Sequence, residues 1–383
     1  MSTRHTLLEL FDAALRAVAG DACVARALHG MGPRPVALFA IGKAASAMSR
    51  GAYSVLGDRI RQALLITKDG HVDPDVARCA NLHVMESAHP VPDERSLAAG
   101  AALERALRTL DADLLPVFLV SGGSSSLVES LRPGATLEAL RALNERGLSA
   151  GWDIAHFNRE RGALSTLKGG GVARLLNGRE ALALFVSDVP GDDPEVIGSG
   201  LLGGAADAVR RQVVANVEAA VQAVVDAAAA RGLELARAMR RFDGNAIDTG
   251  AAFVAALRDA PADGLVWGGE STVALPRIHG RGGRNTHVAL AAARLLRPGE
   301  RLTILAAGTD GTDGPTDDAG AIVDAGTLER AELGGVDVER AYRDFDSGTA
   351  LEASGDLVHT GPTGTNVGDI LIGLRDAARG RVL

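Results

Sequence analysis

The densest run of residues able to do chemistry is the segment 306–320, whose core reads AGTDGTDGPTDDAG. It brings Asp310, Asp313, Asp317 and Asp318 together, and Asp188, Asp192 and Asp193 form a second acidic group upstream. Carboxylates this close repel one another unless a cation or a basic partner stands among them. Magnesium carried on nucleotide phosphate meets that need, because Mg²⁺ takes one or two protein carboxylates and fills its shell with phosphate oxygens and water. Asp and Gly also form turns with no ligand at all. A single Asp-Gly would be read that way, but GTDGTDGPTDD directly after an apolar strand exceeds what a turn requires.

Three further segments carry polar groups at the ends of apolar runs. Ser121-Gly122-Gly123-Ser124-Ser125-Ser126 offers backbone amides and hydroxyls suited to phosphate, and has more hydroxyls than a helix cap uses. Lys43 follows Gly42 at the start of a predicted helix, where a cation opposes the helix dipole unless it serves an anion. The segment is not a P-loop, since Ala37 stands where the first glycine belongs and Ala44 follows the lysine. Arg284, in Gly282-Gly283-Arg284-Asn285, presents a fork that matches carboxylate or phosphate, the alternatives being a cap or an ion pair. His89, in AHPVP, stands at a strand end within reach of a substrate. No HExxH, CxxC or GxSxG occurs, and no GxGxxG follows a strand, which argues against a zinc hydrolase, an α/β-hydrolase and a dinucleotide enzyme.

The elements that must hold these groups are short apolar runs, each ending in a polar, glycine-rich loop. Residues 36–41, 63–67, 82–85, 117–120 and 181–186 are strand length and apolar throughout, as strands buried on both faces are. Helical patterns cover 44–55, 94–110, 137–148 and 207–231. Strands alternating with helices predict a doubly wound parallel sheet, with ligand beyond the carboxyl ends of the strands. A second region has strands at 264–267, 302–306 and 356–360 and a last helix after Asn366. The expected domains are 1–239 and 240–383.

Composition narrows the function classes. The chain has 383 residues, 46% hydrophobic, 23% charged, only 3% aromatic, with a net charge of −8. That length suits two domains. The acidic balance, with no basic stripe, excludes nucleic acid as an expected partner. Two cysteines make no disulfide framework and predict a reducing, cytoplasmic setting. The first twenty residues read as an amphipathic helix, not a signal peptide, and no apolar run is long enough for a membrane span.

Taken together, these segments resemble the glycerate 2-kinases of the MOFRL type, often labelled hydroxypyruvate reductases. The match runs through IGKAA (41–45), ESAHPVPDE (86–94), LKGGGVARL (167–175), SDVPGDDPEVIGSG (187–200), GGESTV (268–273), GGRN (282–285), AAGTDGTDGPTDDAGAIVD (306–324) and TGPTGTNVGD (360–369). It implies an α/β protein with a Rossmann-like N-terminal domain, a smaller MOFRL-like C-terminal domain, and the active site in the cleft between them. It implies ATP-dependent phosphorylation of D-glycerate, or a closely related hydroxy acid, with Mg²⁺, and it allows a homodimer. On this assignment Lys43, Arg284 and Asp188 are catalytic, and Asp188 and Asp310 hold metal. Substrate and phosphate fall to Ser121, Gly122, Gly123, Ser124, Ser125, His89 and Lys168. Nucleotide falls to Glu270, Asn285, Gly308, Thr309, Asp310, Thr312, Asp313, Thr363, Thr365 and Asn366. The chain departs from the family pattern at Ser124, at Gly162-Ala163, after Gly200 and at Asn245. Two other readings fit the same segments: a nicotinamide-dependent hydroxypyruvate reductase, and a metabolite-binding paralogue with impaired catalysis.

Overall fold

The computed structural model describes residues 2–149, 154–204 and 207–375. The chain opens with helices α1 (Thr3–Ala17) and α2 (Gly20–Leu28). It continues through β1 (Val36–Ile41), α3 (Ala45–Leu56), β2 (Ile60–Lys68), β3 (Leu82–Ser87), α4 (Glu94–Arg108), β4 (Leu115–Val120) and the single turn α5 (Ser124–Leu127). Helices α6 (Leu137–Ser149), α7 (Ile154–Leu164) and α8 (Gly171–Leu175) precede β5 (Ala181–Val186) and β6 (Val209–Ala215).

These six strands form one sheet in the order β3-β2-β1-β4-β5-β6, every neighbour parallel. The order reverses between β1 and β4, so the chain leaves these adjacent strands in opposite directions across the sheet. That is the topological switch point of a doubly wound fold, the place where such sheets bind ligands. All six residues of β1 are buried, which is why its sequence is apolar without alternation. Phe39, Ile41, Phe118, Val120 and Phe185 pack with Leu103 and Leu107 of α4 and Val172 of α8 on one face, while α3 lies against β1 and β2.

The remaining elements are α9 (Val217–Ala229), β7 (Leu235–Arg237), α10 (Ala246–Asp259), β8 (Gly264–Gly269), α11 (Arg284–Ala293), β9 (Leu302–Gly308) and β10 (Gly320–Asp324). Three short helices follow, α12 (Thr327–Leu333), α13 (Val338–Arg343) and α14 (Ser347–Ala353), then β11 (Leu357–Val358) and β12 (Asp369–Arg375). The second sheet runs β11-β10-β9-β12-β8-β7. It is mixed: only β7 and β8 are parallel, and β12 is antiparallel to both β8 and β9.

The chain forms two compact units, Val18–Asn216 with Gly364–Val367, and Val217–Thr363 with the stretches up to Ala17 and from Gly368. The division thus falls earlier than the expected 239/240 boundary, because α9 and β7 belong with the second sheet. Helix α1 packs on α9 in that same unit.

Two expected helices differ. The pattern at 207–231 splits into strand β6 and helix α9; β6 is a sheet edge, and its Arg210, Arg211 and Gln212 sit where one side meets solvent. The last expected helix is instead β12, a buried strand inside the second sheet. A side-chain carbon on its Gly373 would lie 2.5 Å from Leu257, so a helix of α10 packs directly on its backbone. Among the described residues no helix is long and apolar enough to cross a membrane.

Candidate active site

In the N-terminal unit, the turns leaving β1 and β4 are stitched together at the switch point. Lys43 N donates to Gly122 O at 2.9 Å, and Ala44 N to Ser121 Oγ at 3.0 Å. The buried Thr67 hydroxyl donates to Gly42 O at 2.9 Å. Gly42 has φ +130°, and a Cβ there would lie 2.2 Å from Ser121 Oγ, so only glycine allows the two turns to approach.

Gly123 has φ +84°, and a Cβ on it would sit 3.0 Å from His89 Cδ2 and 3.2 Å from Lys43 Cγ. A Cβ on Gly122 would sit 2.0 Å from Asp188 Oδ2 and 1.9 Å from Asn366 Nδ2. Asn366 Nδ2 donates to Asp188 Oδ2 at 2.9 Å. The bare backbone of Gly122 and Gly123 is therefore bounded by Lys43, His89, Asp188 and Asn366. The absence of side chains on the two glycines lets these four groups close on the turn, and a lysine and an imidazole brought together there are a setting for a small anion or a phosphoryl group. Helix α5 behind it is one turn, so the macrodipole adds little.

The serines divide their duties. Ser121 ties the turns together. Ser124 Oγ is buried with no hydrogen-bond partner. Ser125 Oγ shares a 2.6 Å bond with Ser199 Oγ and accepts from Arg161 Nη1 at 2.9 Å. Arg161 also donates to Asn144 Oδ1 at 2.8 Å and lies over the Phe157 ring. Burial lowers the pKa of Arg161 to about 10.

Lys168 does not join this group. Its ammonium pairs with Glu129, and both side chains are 1% exposed. Glu129 also accepts from Ser165 Oγ. A buried ammonium paired with a buried carboxylate leaves neither charge uncompensated, so removing one partner is costly. Thr365 is also structural, its hydroxyl donating to Val18 O at 2.7 Å. Thr365 and Asn366, expected with the nucleotide, thus lie in the N-terminal unit, where Asn366 orients Asp188.

In the C-terminal unit, Arg284 is the first residue of α11. Its guanidinium donates to Glu270 Oε1, and to Asp369 Oδ1 at 3.4 Å. Burial works to lower its pKa, and Asp369 and Glu270 more than offset it, so the guanidinium stays charged. The side chain is 37% exposed, which leaves its fork available to an anion. Asn285 Nδ2 donates to Asp369 Oδ1 at 3.0 Å, while Asp369 Oδ2 and Asn285 Oδ1 are buried without partners. Burial raises Asp369 to about 7, with Arg284 pulling the other way.

A Cβ on Gly308 would lie 3.4 Å from both Asn285 Nδ2 and Asp310 Oδ1, which sets Asp310 beside this cluster. Asp310 Oδ1 accepts from Thr312 N at 3.0 Å and from its hydroxyl at 3.2 Å. Thr309 and Thr363 are wiring: Thr309 Oγ1 donates to Gly368 O at 2.6 Å, and Thr363 Oγ1 donates to Thr309 O.

The other aspartates of the loop do not converge on one cation. Asp313 accepts from Asn285 N at 2.9 Å and Thr286 N at 2.7 Å, capping the N-terminus of α11 and so fixing Arg284. Asp318 pairs with Arg281 at 2.9 Å and with His359 at 3.2 Å. Among the described residues no three His, Cys, Asp or Glu side chains gather as a metal-holding group.

Asp369 and Arg161 were not singled out from sequence. Asp369 closes TGPTGTNVGD and begins a buried strand, and a carboxylate in such a place is a signal for function. Arg161 looks like any arginine on an amphipathic helix.

The chain is similar to known proteins along most of its length. Residues 6–231 match DUF4147, described as a domain of unknown function, and residues 264–369 match the MOFRL family. The chain is 34% identical to the D-glycerate 2-kinase of Thermotoga maritima, over 97% of this chain and 98% of that protein. It is 32% identical to the glycerate 2-kinase of Pyrococcus horikoshii, over 90% and 88%. The crystal structure of a Thermotoga maritima glycerate kinase superposes with a TM-score of 0.84 at 32% identity, covering 97% of this chain and 99% of that one. The chain belongs to the MOFRL-type glycerate 2-kinase family.

Proposed function

We propose that this chain is an ATP-dependent glycerate 2-kinase that moves the γ-phosphoryl group of ATP to the 2-hydroxyl of D-glycerate, giving 2-phosphoglycerate and ADP. The observation that carries the reading is the grouping of Lys43, His89 and Asp188 around the bare Gly122-Gly123 backbone at the sheet's switch point. The strand order of the N-terminal sheet is also that of dinucleotide-binding sheets, but the turn after β1 reads Gly42-Lys43-Ala44-Ala45. It lacks the glycine fingerprint a nicotinamide pyrophosphate needs and offers a cation instead.

In-line phosphoryl transfer asks the protein to position groups and neutralise charge. The Ser121–Ser125 turn and His89 hold the substrate. Lys43 and Arg284 stabilise charge on the transferring group. Asp188, oriented by Asn366, takes the hydroxyl proton. Glu270, Asn285 and the Gly308–Thr312 turn form the nucleotide side, with Glu270 holding the Arg284 fork.

Asp188 and Asp310 each offer one loop-end carboxylate. Either carboxylate by itself fits a nucleotide-borne Mg²⁺, which needs one or two protein carboxylates, and not a dedicated protein cage. When bound, the ion neutralises phosphate charge. Cys23 and Cys79 form no disulfide, in keeping with action in the cytoplasm.

ADP release with D-glycerate, ATP and Mg²⁺, measured beside NADH oxidation with hydroxypyruvate, tests the reading. ADP release dependent on D-glycerate is expected. NADH oxidation without ATP turnover overturns it.

A further inference from the structure

The C-terminal unit contains a cavity of about 280 Å³ whose exposed wall is mostly apolar, with Val273, Ala274 and Phe345 in it and Asn245, Asp248 and His287 among its polar members. Whole-ligand pockets run from about 300 to 1,000 Å³. This one is the size of a single ring system, not of an entire nucleotide.

Three features show that it is built for a specific occupant. First, His287 is 1% exposed and neither ring nitrogen has a hydrogen-bond partner. Buried polar atoms are ordinarily satisfied, so this imidazole lacks something. Its faces are already taken: it stacks on Tyr342 at 5.1 Å and on Phe345 at 4.5 Å between ring centroids. Only its edge is left for a ligand. Burial, assisted by Arg294, holds its pKa down to about 4. It is therefore neutral, with one N–H donor and one acceptor.

Second, Phe345 is held at φ +53°. A bulky residue rarely takes that left-handed conformation, and such strain collects at ligand sites. Here it delivers the Phe345 ring to the His287 face and to the cavity wall.

Third, the cavity adjoins a cation. His287 stands one turn beyond Arg284 on α11, a spacing that sets side chains about 5–6 Å apart at Cβ. Thr272 is two residues past Glu270, the carboxylate that grips Arg284. One strand-end segment thus lines the apolar cavity and anchors the guanidinium.

An uncharged planar ring with both donor and acceptor atoms, linked by a short spacer to an anionic group, matches all three. We propose that this cavity is the nucleobase subsite of the phosphoryl donor, taking the purine ring against Phe345, Val273 and Ala274, with the His287 edge as its hydrogen-bond partner. The inference rests on the kinase reading above.

Ala274 is exposed in the loop after β8, so Ala274→Trp fills the cavity without disturbing the core. The full chain is assayed with ATP and D-glycerate, and adenosine is tested as an inhibitor. The KM for ATP is expected to rise about ten-fold or more while that for D-glycerate stays within about two-fold. Adenosine is expected to compete with ATP in the wild type and to lose that competition in the variant. A wild type that turns over ATP and is indifferent to adenosine, with Ala274→Trp leaving the KM for ATP unmoved, overturns the subsite alone. A wild type that releases no ADP with any hydroxy acid, yet binds adenosine in a way that Ala274→Trp abolishes, overturns the kinase reading and leaves the cavity a purine site.

Discussion

Asn285 Nδ2 donates to Asp369 Oδ1 at 3.0 Å, and the second oxygen of that carboxylate is buried with no partner. Asn285 also gives its backbone N–H to Asp313 at 2.9 Å. One residue thus joins the capping carboxylate of α11 to the carboxylate beside Arg284. The acidic side of this C-terminal cluster is thus hydrogen-bonded together, while the Arg284 side chain stays 37% exposed.

Asp369 makes the stability of the fold depend on pH. Burial raises it to about 7, whereas an unfolded aspartate releases its proton near about 3.9. Its contribution is full below about pH 4 and is lost as pH rises through about 7. Asp369→Asn keeps an acceptor for Asn285 and cannot titrate. Melting temperatures across this range should show the wild type losing stability relative to Asp369→Asn as pH rises, with the difference levelling above the upper value. Parallel curves would show that Asp369 does not titrate there.

Lys43→Ala should fold and lose about 10²–10³ in turnover, the effect of removing one group that meets transition-state charge. Circular dichroism with a steady-state assay checks both halves. A folded Lys43→Ala enzyme with wild-type turnover removes this lysine from the scheme.

Gly123→Ala tests the same place through the backbone. A side chain at φ +84° costs about 1–2 kcal/mol. The new carbon would press on His89 and Lys43, so turnover should fall although no polar group has been lost. Urea unfolding beside kinetics measures the two effects. A variant with unaltered stability and turnover would mean the turn is not held as described.

Lys168 and Glu129 form a buried pair, and breaking such a pair from one side costs about 3–5 kcal/mol. Lys168→Met should destabilise by that order, and adding Glu129→Gln should recover much of it. Folded Lys168→Met should keep the wild-type KM for D-glycerate. Weakened substrate binding at unchanged stability would return Lys168 to the substrate site.

The N-terminal sheet was legible because its strands are buried on both faces and their sequences are unbroken apolar runs. Its loops were legible because chemistry collects at strand ends. What escaped were elements set by tertiary pairing. Strand β6, with Arg210, Arg211 and Gln212 beside an alanine-rich helix, carries helix-forming residues and is held as a strand by its pairing with β5. Strand β12 is a short apolar run of the kind periodicity cannot separate from a buried helix. With it went Asp369, whose importance comes from a burial no local pattern displays. The aspartate-rich loop reads as one unit in sequence, but its carboxylates part in the fold: Asp313 caps a helix, Asp318 meets Arg281, and Asp310 accepts from Thr312 beside Gly308.

The product of the reaction tests the central claim most directly. The purified chain is incubated with D-glycerate, ATP and Mg²⁺, and the phosphorylated product is identified by phosphorus NMR and by its conversion with enolase. Glycerate 2-kinase activity predicts one equivalent of 2-phosphoglycerate per ADP formed, converted by enolase without a mutase. A product phosphorylated at the 3-hydroxyl, or no phosphorylated product while hydroxypyruvate is reduced by NADH, would contradict it.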